Sequence, residues 1–513
     1  MKNEQAFSQV IKYLFIGLFL IITFLLLVMS PSLDYPGKKS FLAPNSILLF
    51  FDILVVVIIY MIWKVLGGRR LNIDLYGSKL IITGTVILFF AQVYVSYNIY
   101  FLTGWDVGGY IIPAARDIAS GMPLDAYNDY FSRYPNNIIL VSFFSILFKL
   151  NTNFGILDTD IGVMTLITFN CLISSLSGFL TYKTVEKLAN KRWAMMAWIV
   201  FVLLIGTSPW IVITYSDSLA LFLPILIFFL YIRDWAGNYY FLRWFLIGVL
   251  SFIGYYIKPQ VILILIAIII MEIIAFLRIM NRKKGLLLIL VLCLSFLLSC
   301  ISYKAIYQHS GFNINKESTF GITHFAMMGL NPQRGGVYSD EDVEFSASFE
   351  TASERNKAAI EQIKSRLRQL GVFGYTKFLS KKVLVNYGDG TFAWSGEGHF
   401  YNETFPDKNQ WMSPTLKSYY YSTGSNYGKT STVEQMIWVG VIFFMLGVVW
   451  IKKQQLDKRI VVLMLTIIGL TVFELLFEAR ARYLYIYAPI YISLSIIGLQ
   501  HILNRVKKLK WFS

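Results

Sequence analysis

Apolar and polar residues follow one another in long blocks along this chain rather than alternating residue by residue. Runs of apolar residues recur from one end of the sequence to the other, and a helix of about 20 such residues crosses the hydrocarbon core of a bilayer. Backbone polar groups must be paired inside lipid, so these runs are predicted to be α-helices. A transmembrane barrel is excluded, because its strands would alternate polar and apolar positions over about ten residues.

The pattern predicts an all-α polytopic membrane protein with about twelve transmembrane helices. The predicted spans are approximately 11–30, 46–65, 80–102, 161–182, 193–210, 218–233, 241–257, 259–278, 285–305, 435–451, 458–477 and 482–503. A further apolar run, 136–150, is shorter than these. Composition agrees with the membrane assignment, since 56% of the residues are hydrophobic and only 15% are charged, against about 25% in soluble domains.

The positive charges set the orientation of the predicted spans. The net charge of +16 is concentrated in short loops such as 183–192 and 278–284 and in the tail 505–510, which is the positive-inside pattern rather than a nucleic-acid-binding surface. This pattern is kept only if 136–150 does not cross the bilayer, so this run is predicted to be a surface or re-entrant helix. Both termini are then cytoplasmic, in a plasma membrane.

This topology divides the chain into four parts. Residues 1–79 form two extra N-terminal transmembrane helices, and 80–305 form a transmembrane core with an outer loop at 103–160. Residues 306–434 form an extracytoplasmic loop domain, and 435–513 form the C-terminal transmembrane helices and a cytoplasmic tail. The three cysteines lie in apolar runs and the four histidines lack metal-ligand spacing, which argues against a disulfide framework or a zinc site.

Charged residues at the outer ends of the spans are the candidates for chemistry, because a charge at the centre of a membrane helix costs about 2.5–3.5 kcal/mol. Asp106 follows the third span in a segment with Trp105 and Tyr110, and the alternative is an aspartate solvated in a loop. Asp217 lies in a short break between two apolar runs, where it can serve the site, N-cap the next helix, or do both.

Basic residues at the same predicted face form the second half of the candidate site. Lys258 lies between two spans with almost no loop, and the alternative is a lysine that snorkels to the interface. Arg480 and Arg482 share a short turn with Glu478 and Tyr483, and the guanidinium fork suits phosphate. The alternatives are pairing of Glu478 with one arginine, or contact of both arginines with lipid phosphates.

Arg133 opens the surface helix, in Arg133-Tyr134-Pro135, and is a candidate contact to a phosphate or a sugar. The layout of Asp106, this proline-containing helix, Lys258 and the Arg480–Tyr483 turn resembles the GT-C superfamily of polytopic glycosyltransferases, in the manner of protein O-mannosyltransferases and the aminoarabinose transferase. The similarity covers residues 80–500 in layout. The chain departs from the family in its two extra N-terminal spans and in having a lone acid at Asp106, which leaves open whether a divalent metal is needed.

The resemblance implies an inverting transfer of a sugar from a polyprenyl-phosphate donor to an extracytoplasmic acceptor of the lipid, glycan or protein type. Asp106 would act as general base, with Asp217 sharing that role or orienting a sugar hydroxyl. Lys258, Arg480, Arg482 and Tyr483 would bind the donor phosphate, and Arg133, Tyr110 and Glu478 are candidate substrate contacts. The aromatic residues Tyr387, Phe392 and Trp394 are candidates to stack on sugar faces, and the alternative is that they are core residues of the segment 306–434. Two other functions stay open, a flippase or transporter of lipid-linked sugars and a surface polysaccharide ligase.

Overall fold

The computed structural model describes residues 2–65, 73–154, 159–235, 239–276, 282–394 and 403–507 of the 513 residues. Up to residue 235 the helices are α1 (Lys2–Phe24), α2 (Asn45–Val65), α3 (Ile73–Ile99), α4 (Ile112–Ser120), α5 (Asn128–Arg133), α6 (Ile138–Asn153), α7 (Thr159–Leu188), α8 (Lys191–Phe201), α9 (Ser216–Ala220) and α10 (Phe222–Ile232). From residue 239 they are α11 (Tyr239–Ile257), α12 (Ile262–Phe276), α13 (Arg282–Gln308), α14 (Ile322–Gly329), α15 (Asp340–Ala347), α16 (Ala352–Tyr387), α17 (Met412–Tyr420), α18 (Tyr427–Met445), α19 (Lys458–Leu476), α20 (Arg482–Tyr485) and α21 (Ala488–Val506). Strand β1 (Phe101–Leu102) pairs antiparallel with β2 (Glu403–Thr404).

The helical prediction is confirmed, because a helix covers most of each of the twelve predicted spans. Within the described ranges, seven helices are long and apolar enough to cross a membrane: Glu4–Met29, Gly77–Ile99, Ile161–Leu188, Tyr239–Ile257, Gly285–Gln308, Tyr427–Trp450 and Lys458–Leu476. Three shorter apolar helices are Asn45–Met61, Ser216–Ile232 and Pro259–Ile274. The chain is therefore a multi-pass membrane protein, and the count of twelve spans stays a prediction.

Helix α13 shows how the apolar residues are distributed around the bundle. Its side chains Leu290, Leu297 and Ile301 are each 55% exposed, and one face packs on α11. A helix that leaves apolar side chains uncovered in a soluble protein would promote aggregation. In a bilayer the same side chains contact lipid, so α13 lies at the periphery of the bundle.

Aromatic side chains fill the centre of the bundle. The Tyr387 hydroxyl lies 2.8 Å from the Tyr491 hydroxyl and 2.6 Å from Thr471 Oγ1. Trp438 packs on Tyr491 with ring centroids 5.3 Å apart and donates its indole N–H to the Tyr387 carbonyl. Phe19 of α1 packs edge-on against Tyr387. These contacts join α1, α16, α18, α19 and α21 through rings whose polar atoms are paired, as buried tyrosine and tryptophan require.

Both ends of α6 lie at the same end of the helix bundle. At its start, Pro135 accepts a hydrogen bond from Tyr303 near the C-terminal end of α13, at 3.3 Å. At its finish, Asn151 donates to Thr165 near the N-terminal end of α7, at 3.0 Å. Since α13 ends and α7 begins at this end of the bundle, α6 returns to the face from which it started. That the run 136–150 does not cross the bilayer stays a prediction.

The segment 306–434 is only in part a loop domain. Helix α16 breaks at Gly371, whose φ of +58° is a conformation that glycine adopts without steric cost. Its second half enters the bundle, where Tyr387 and, beyond the helix, Phe392 and Trp394 are at most 1% exposed. These three rings are core residues, so the expectation that they stack on sugar faces is wrong for this conformation. Residues 395–402 lie outside the described ranges, and the division of the chain at 79, 305 and 434 stays a prediction.

Candidate active site

The polar residues predicted at the outer ends of the spans lie at one end of the bundle, here called the site end. Helix α3 ends there shortly before Asp106, α9 begins there at Ser216, and Lys258 joins α11 to α12. The turn after α19 carries Glu478, Arg480 and Arg482. The other ends of α10, α11, α12 and α19 form the distal end of the bundle.

A constrained turn places Asp106. After β1 the chain reaches Trp105, which has a φ of +43°, a conformation that a bulky residue rarely adopts and that is found mainly at functional sites. The backbone of Gly108 then passes so close to Thr103 that a Cβ there would overlap the Thr103 carbonyl oxygen. Only glycine fits this approach, and it lies in the helical turn Val107–Ile111 that leads into α4.

Asp106 is held by tyrosines. The Tyr215 hydroxyl donates a hydrogen bond to Asp106 Oδ2 at 3.0 Å, and the Tyr215 ring packs edge-on against Trp105. Burial, together with the Asp106 carboxylate, raises the pKa of Tyr130 well above its usual value. Tyr130 therefore stays a hydroxyl that can donate to an anion. Asp106 itself is half-buried, so its carboxylate is oriented by protein groups and still accessible.

Asp217, Lys258 and Arg482 form a buried ionic group. Lys258 and Asp217 make an ion pair in which the side chains are 6% and 1% exposed. Arg482 Nε lies 3.9 Å from the other carboxylate oxygen of Asp217. Asp217 lies in the first turn of α9. The N-cap residue of this helix is Tyr215, and its side chain makes no capping hydrogen bond. The interpretation of Asp217 as an N-cap is therefore wrong, and its side chain serves the cluster.

The turn after α19 contains a second acid–base pair. Arg480 Nε donates to Glu478 Oε1 at 2.7 Å, and the Tyr483 hydroxyl donates to Glu478 Oε2 at 3.1 Å. Burial raises the pKa of Glu478, and burial, with the neighbouring Arg482, lowers the pKa of Arg480 to about 10. The alternative in which Glu478 pairs with an arginine is thus the arrangement present in this structure.

Cation–π contacts join these groups into one cluster. The Arg482 guanidinium lies 4.8 Å from the centre of the Trp105 ring and 5.6 Å from that of Tyr215. The Lys258 ammonium lies 4.3 Å from the centre of the Tyr483 ring. A single site is therefore bordered by three acidic and three basic side chains, namely Asp106, Asp217 and Glu478, and Lys258, Arg480 and Arg482. They come from four segments that are far apart in sequence.

Two predicted residues stand apart from this ionic group. Arg133 makes an ion pair with Asp129 at 2.7 Å, and both side chains are substantially exposed. Its contact to a phosphate or sugar stays a prediction. Tyr110 is 38% exposed and stacks on Tyr130 with centroids 4.1 Å apart and planes at 5°, so it lies at the edge of the site through Tyr130.

Several site residues were absent from the sequence-based set. Tyr130 and Tyr215 flank Asp106, and Tyr338, 41% exposed, lies beneath the Arg480 guanidinium at 5.8 Å. Lys382 donates to the carbonyls of Gly329, Leu475 and Phe477 at 2.5–2.9 Å and so holds the turn that carries Glu478. Only Tyr215 could have been found, since it directly precedes Ser216-Asp217. Tyr338 and Lys382 come from segments that nothing in the sequence connects to Asp106.

The arrangement can accept a proton at Asp106 and hold an anion near Arg480, Arg482 and Lys258. Within the described ranges, no group of three or more His, Cys, Asp and Glu side chains is placed to hold a metal ion. Asp106 belongs to a cluster of mixed charge, whose acids are paired with lysine, arginine and tyrosine.

Comparison with known proteins gives a family and distant similarity to solved structures. Residues 4–502 match the model of a family described as conserved hypothetical integral membrane protein. No curated protein matches the sequence. Among solved structures, the archaeal oligosaccharyltransferase AglB from Archaeoglobus fulgidus, in complex with an inhibitory peptide and a dolichol-phosphate, is similar at 13% identity with a TM-score of 0.42. That match covers 85% of this chain and 52% of the other, so the chain spans about half the length of that enzyme.

Proposed function

We infer the function of this chain, which belongs to the conserved hypothetical integral membrane protein family, from its candidate active site. We propose a membrane glycosyltransferase of the GT-C type. It moves a sugar from a polyprenyl-phosphate donor to an acceptor hydroxyl on the extracytoplasmic face of the membrane. The observation that carries the proposal is an accessible carboxylate, Asp106, at the same end of the bundle as two buried cations, Lys258 and Arg482, and the partly exposed Arg480.

Asp106 is the proposed general base. The acceptor oxygen forms a bond to the anomeric carbon while the bond from that carbon to the donor phosphate breaks, and the acceptor proton passes to the Asp106 carboxylate. A single displacement of this kind inverts the anomeric configuration. The bond from Tyr215 to Asp106 Oδ2 supports this role, because it fixes the direction of the carboxylate before the acceptor arrives.

The cations are proposed to bind the leaving phosphate. As the bond to the sugar breaks, negative charge grows on the phosphate, and fixed positive groups in a site with little water stabilise that charge. Arg482 and Lys258 are tied to Asp217, which holds them in place without the donor. The Tyr483 ring contacts both Lys258 and Arg482 and helps to hold the two side chains at the site.

Arg480 requires an exchange of partners. In this structure it is bound to Glu478, so a donor phosphate must compete with that carboxylate. The raised pKa of Glu478 lowers the cost of protonating it, and a protonated Glu478 would leave the charge of Arg480 for the phosphate. Glu478 is thus proposed to neutralise the positive charge of Arg480 until the donor binds.

The direct test is a donor-cleavage assay. The purified full chain, given a polyprenyl-phosphate sugar and a hydroxyl acceptor, is expected to release polyprenyl phosphate and form an inverted glycoside. A flippase would move the donor between leaflets of a vesicle without cleaving it. A ligase would require a preassembled lipid-linked glycan. Transport without release of polyprenyl phosphate would therefore overturn the proposal.

Replacing Arg480 by alanine is expected to weaken the use of the donor. Loss of a charge-assisted contact to phosphate corresponds to about a tenfold rise in the donor KM, with a smaller change in the acceptor KM. The measurement is the initial rate at varied donor concentration. Arg334→Ala is the matched control, because Arg334 pairs with Glu341 on an exposed surface and its loss should leave both KM values unchanged. An unaltered donor KM in Arg480→Ala would remove Arg480 from the phosphate site.

A further inference from the structure

A polar cavity lies at the distal end of the bundle, away from the candidate active site. It has a volume of about 450 Å³ and is lined by residues from the end of α10, the start of α11, the later part of α12 and the start of α19. These four helices carry the candidate active site at their other ends. A helix of 19 residues such as α11 is about 28 Å long, so the two sites are separated by the thickness of the bundle.

Basic side chains exceed acidic ones around this cavity. Its lining has the four bases Arg233, Arg243, Lys458 and Arg459 against the two acids Asp234 and Glu272. The acids already have partners, because Glu272 pairs with Lys458 and Asp234 pairs with Lys187, each at 2.8 Å. Arg459 is paired with Asp457, outside the lining. The cavity lining therefore has a net positive charge, which comes from Arg233 and Arg243.

These two arginines are held by aromatic rings instead of carboxylates. The Arg243 guanidinium lies 4.9 Å from the centre of the Tyr240 ring and 5.0 Å from that of Trp244. Arg233 lies 5.3 Å from the Trp235 ring. Neither arginine makes an ion pair with a carboxylate in the described ranges, and Arg243 Nε is buried there without a hydrogen-bond partner. A buried guanidinium N–H without a partner is costly, so the site is incomplete without an acceptor.

We propose that this cavity binds a phosphate group, with Arg243 and Arg233 as its principal donors. The planar guanidinium offers paired N–H groups that fit two phosphate oxygens. The aromatic stacks fix the direction of those groups and reduce the entropy lost on binding. The phosphate can come from an anionic lipid headgroup or from a soluble phosphate ester. Basic pockets between membrane helices are known to take lipid headgroups, and the surrounding tyrosine and tryptophan rings are typical of the membrane interface. This inference involves no residue of the proposed transfer site.

The test measures phosphate-dependent ligand binding by variants of the full chain. The delipidated protein in detergent is given equal amounts of phosphatidylglycerol and of the phosphate-free lipid diacylglycerol, and the retained lipid is measured by native mass spectrometry. A parallel sample receives inorganic phosphate, and its thermal unfolding is followed. Arg243→Gln and Arg233→Gln keep part of the stem but remove the charge, and each is expected to weaken phosphate-dependent binding about tenfold.

The control variant is Arg505→Gln. Arg505 also stacks on a tryptophan, Trp450, at 5.3 Å and at the distal end, but it does not line the cavity. A lipid headgroup would be identified by a preference for phosphatidylglycerol that is lost in Arg243→Gln and Arg233→Gln and kept in Arg505→Gln. Stabilisation by inorganic phosphate with the same pattern would identify a soluble ester. The proposal would be overturned if both lipids were retained equally and phosphate did not stabilise the protein. It would also be overturned if the unmodified protein and the three variants behaved identically.

Discussion

Replacing Asp106 by asparagine is expected to slow glycosyl transfer by about 10²–10⁴-fold, the usual contribution of a positioned general base. Asparagine has nearly the same volume, and its amide oxygen can still accept the bond that Tyr215 donates to Asp106. The side chain is half-buried, so the loss of its charge should cost little stability. The expected defect therefore lies in the turnover of bound substrates, with the donor KM nearly unchanged.

The measurement is the rate of polyprenyl phosphate release by the purified variant. Asp129→Asn is the matched control, because Asp129 is an acid of the same outer loop that pairs with Arg133 on the surface and should retain full activity. Thermal unfolding of both variants shows whether the fold is intact. Ordinary turnover by a folded Asp106→Asn variant would exclude Asp106 as the base. Equal losses in both variants would indicate that the loop, and not the carboxylate of Asp106, is needed.

Breaking the Lys258–Asp217 pair is expected to produce the largest loss of stability among the substitutions considered. Both side chains are at most 6% exposed, and removal of one partner from a buried ion pair typically costs about 3–5 kcal/mol, because the other charge stays buried. Lys258→Met leaves Asp217 with a longer contact, to Arg482 at 3.9 Å. Asp217→Asn leaves Lys258 beside Arg482, a second cation. Each single variant should therefore unfold at a clearly lower temperature or detergent concentration.

The double variant distinguishes the loss of the Asp217–Lys258 interaction from a general destabilisation of the fold. Asp217→Asn with Lys258→Met removes both charges, so its loss of stability should be smaller than the sum of the two single losses. Lys364→Met is the control, since Lys364 pairs with Glu361 at an exposed position and should change the stability little. Strictly additive losses at Asp217 and Lys258 would mean that the two residues do not depend on each other. That result would also weaken the proposal that Asp217 holds Lys258 for the donor phosphate.

The predicted site residues show how far hydropathy alone extends. Asp106, Asp217, Lys258 and the Glu478–Tyr483 turn each lie where an apolar run stops, and the positive-inside pattern assigned them all to one face. The structure brings them within contact distance through Tyr215, Trp105 and Tyr483. Their roles in catalysis stay predictions. Their positions at the ends of apolar runs were enough to predict that they share one face, without any sequence motif.

The contact expected of Arg133 stays a prediction, and in this structure its side chain pairs with Asp129 at the surface. The aromatic residues of the segment 306–434 lie elsewhere than expected. Tyr387, Phe392 and Trp394 come from a segment expected to lie outside the bundle, but they are core residues, because α16 bends at Gly371 and enters the bundle. A polar helix with scattered apolar positions does not exceed the hydropathy threshold of a span, although its second half packs among the membrane helices.

The sequence by itself predicted depth: which segments are apolar enough to lie in lipid, which charges stand at their ends, and that these charges share one face. A bilayer imposes this order along one axis, since a charge or an unpaired backbone group in hydrocarbon is costly wherever it occurs. Only the tertiary structure decided lateral position: the pairing of Lys258 with Asp217, the tyrosines around Asp106 and the cavity at the distal end. Contacts between helices depend on side-chain packing and hydrogen bonds between segments far apart in sequence, and no periodicity within one segment encodes its neighbours.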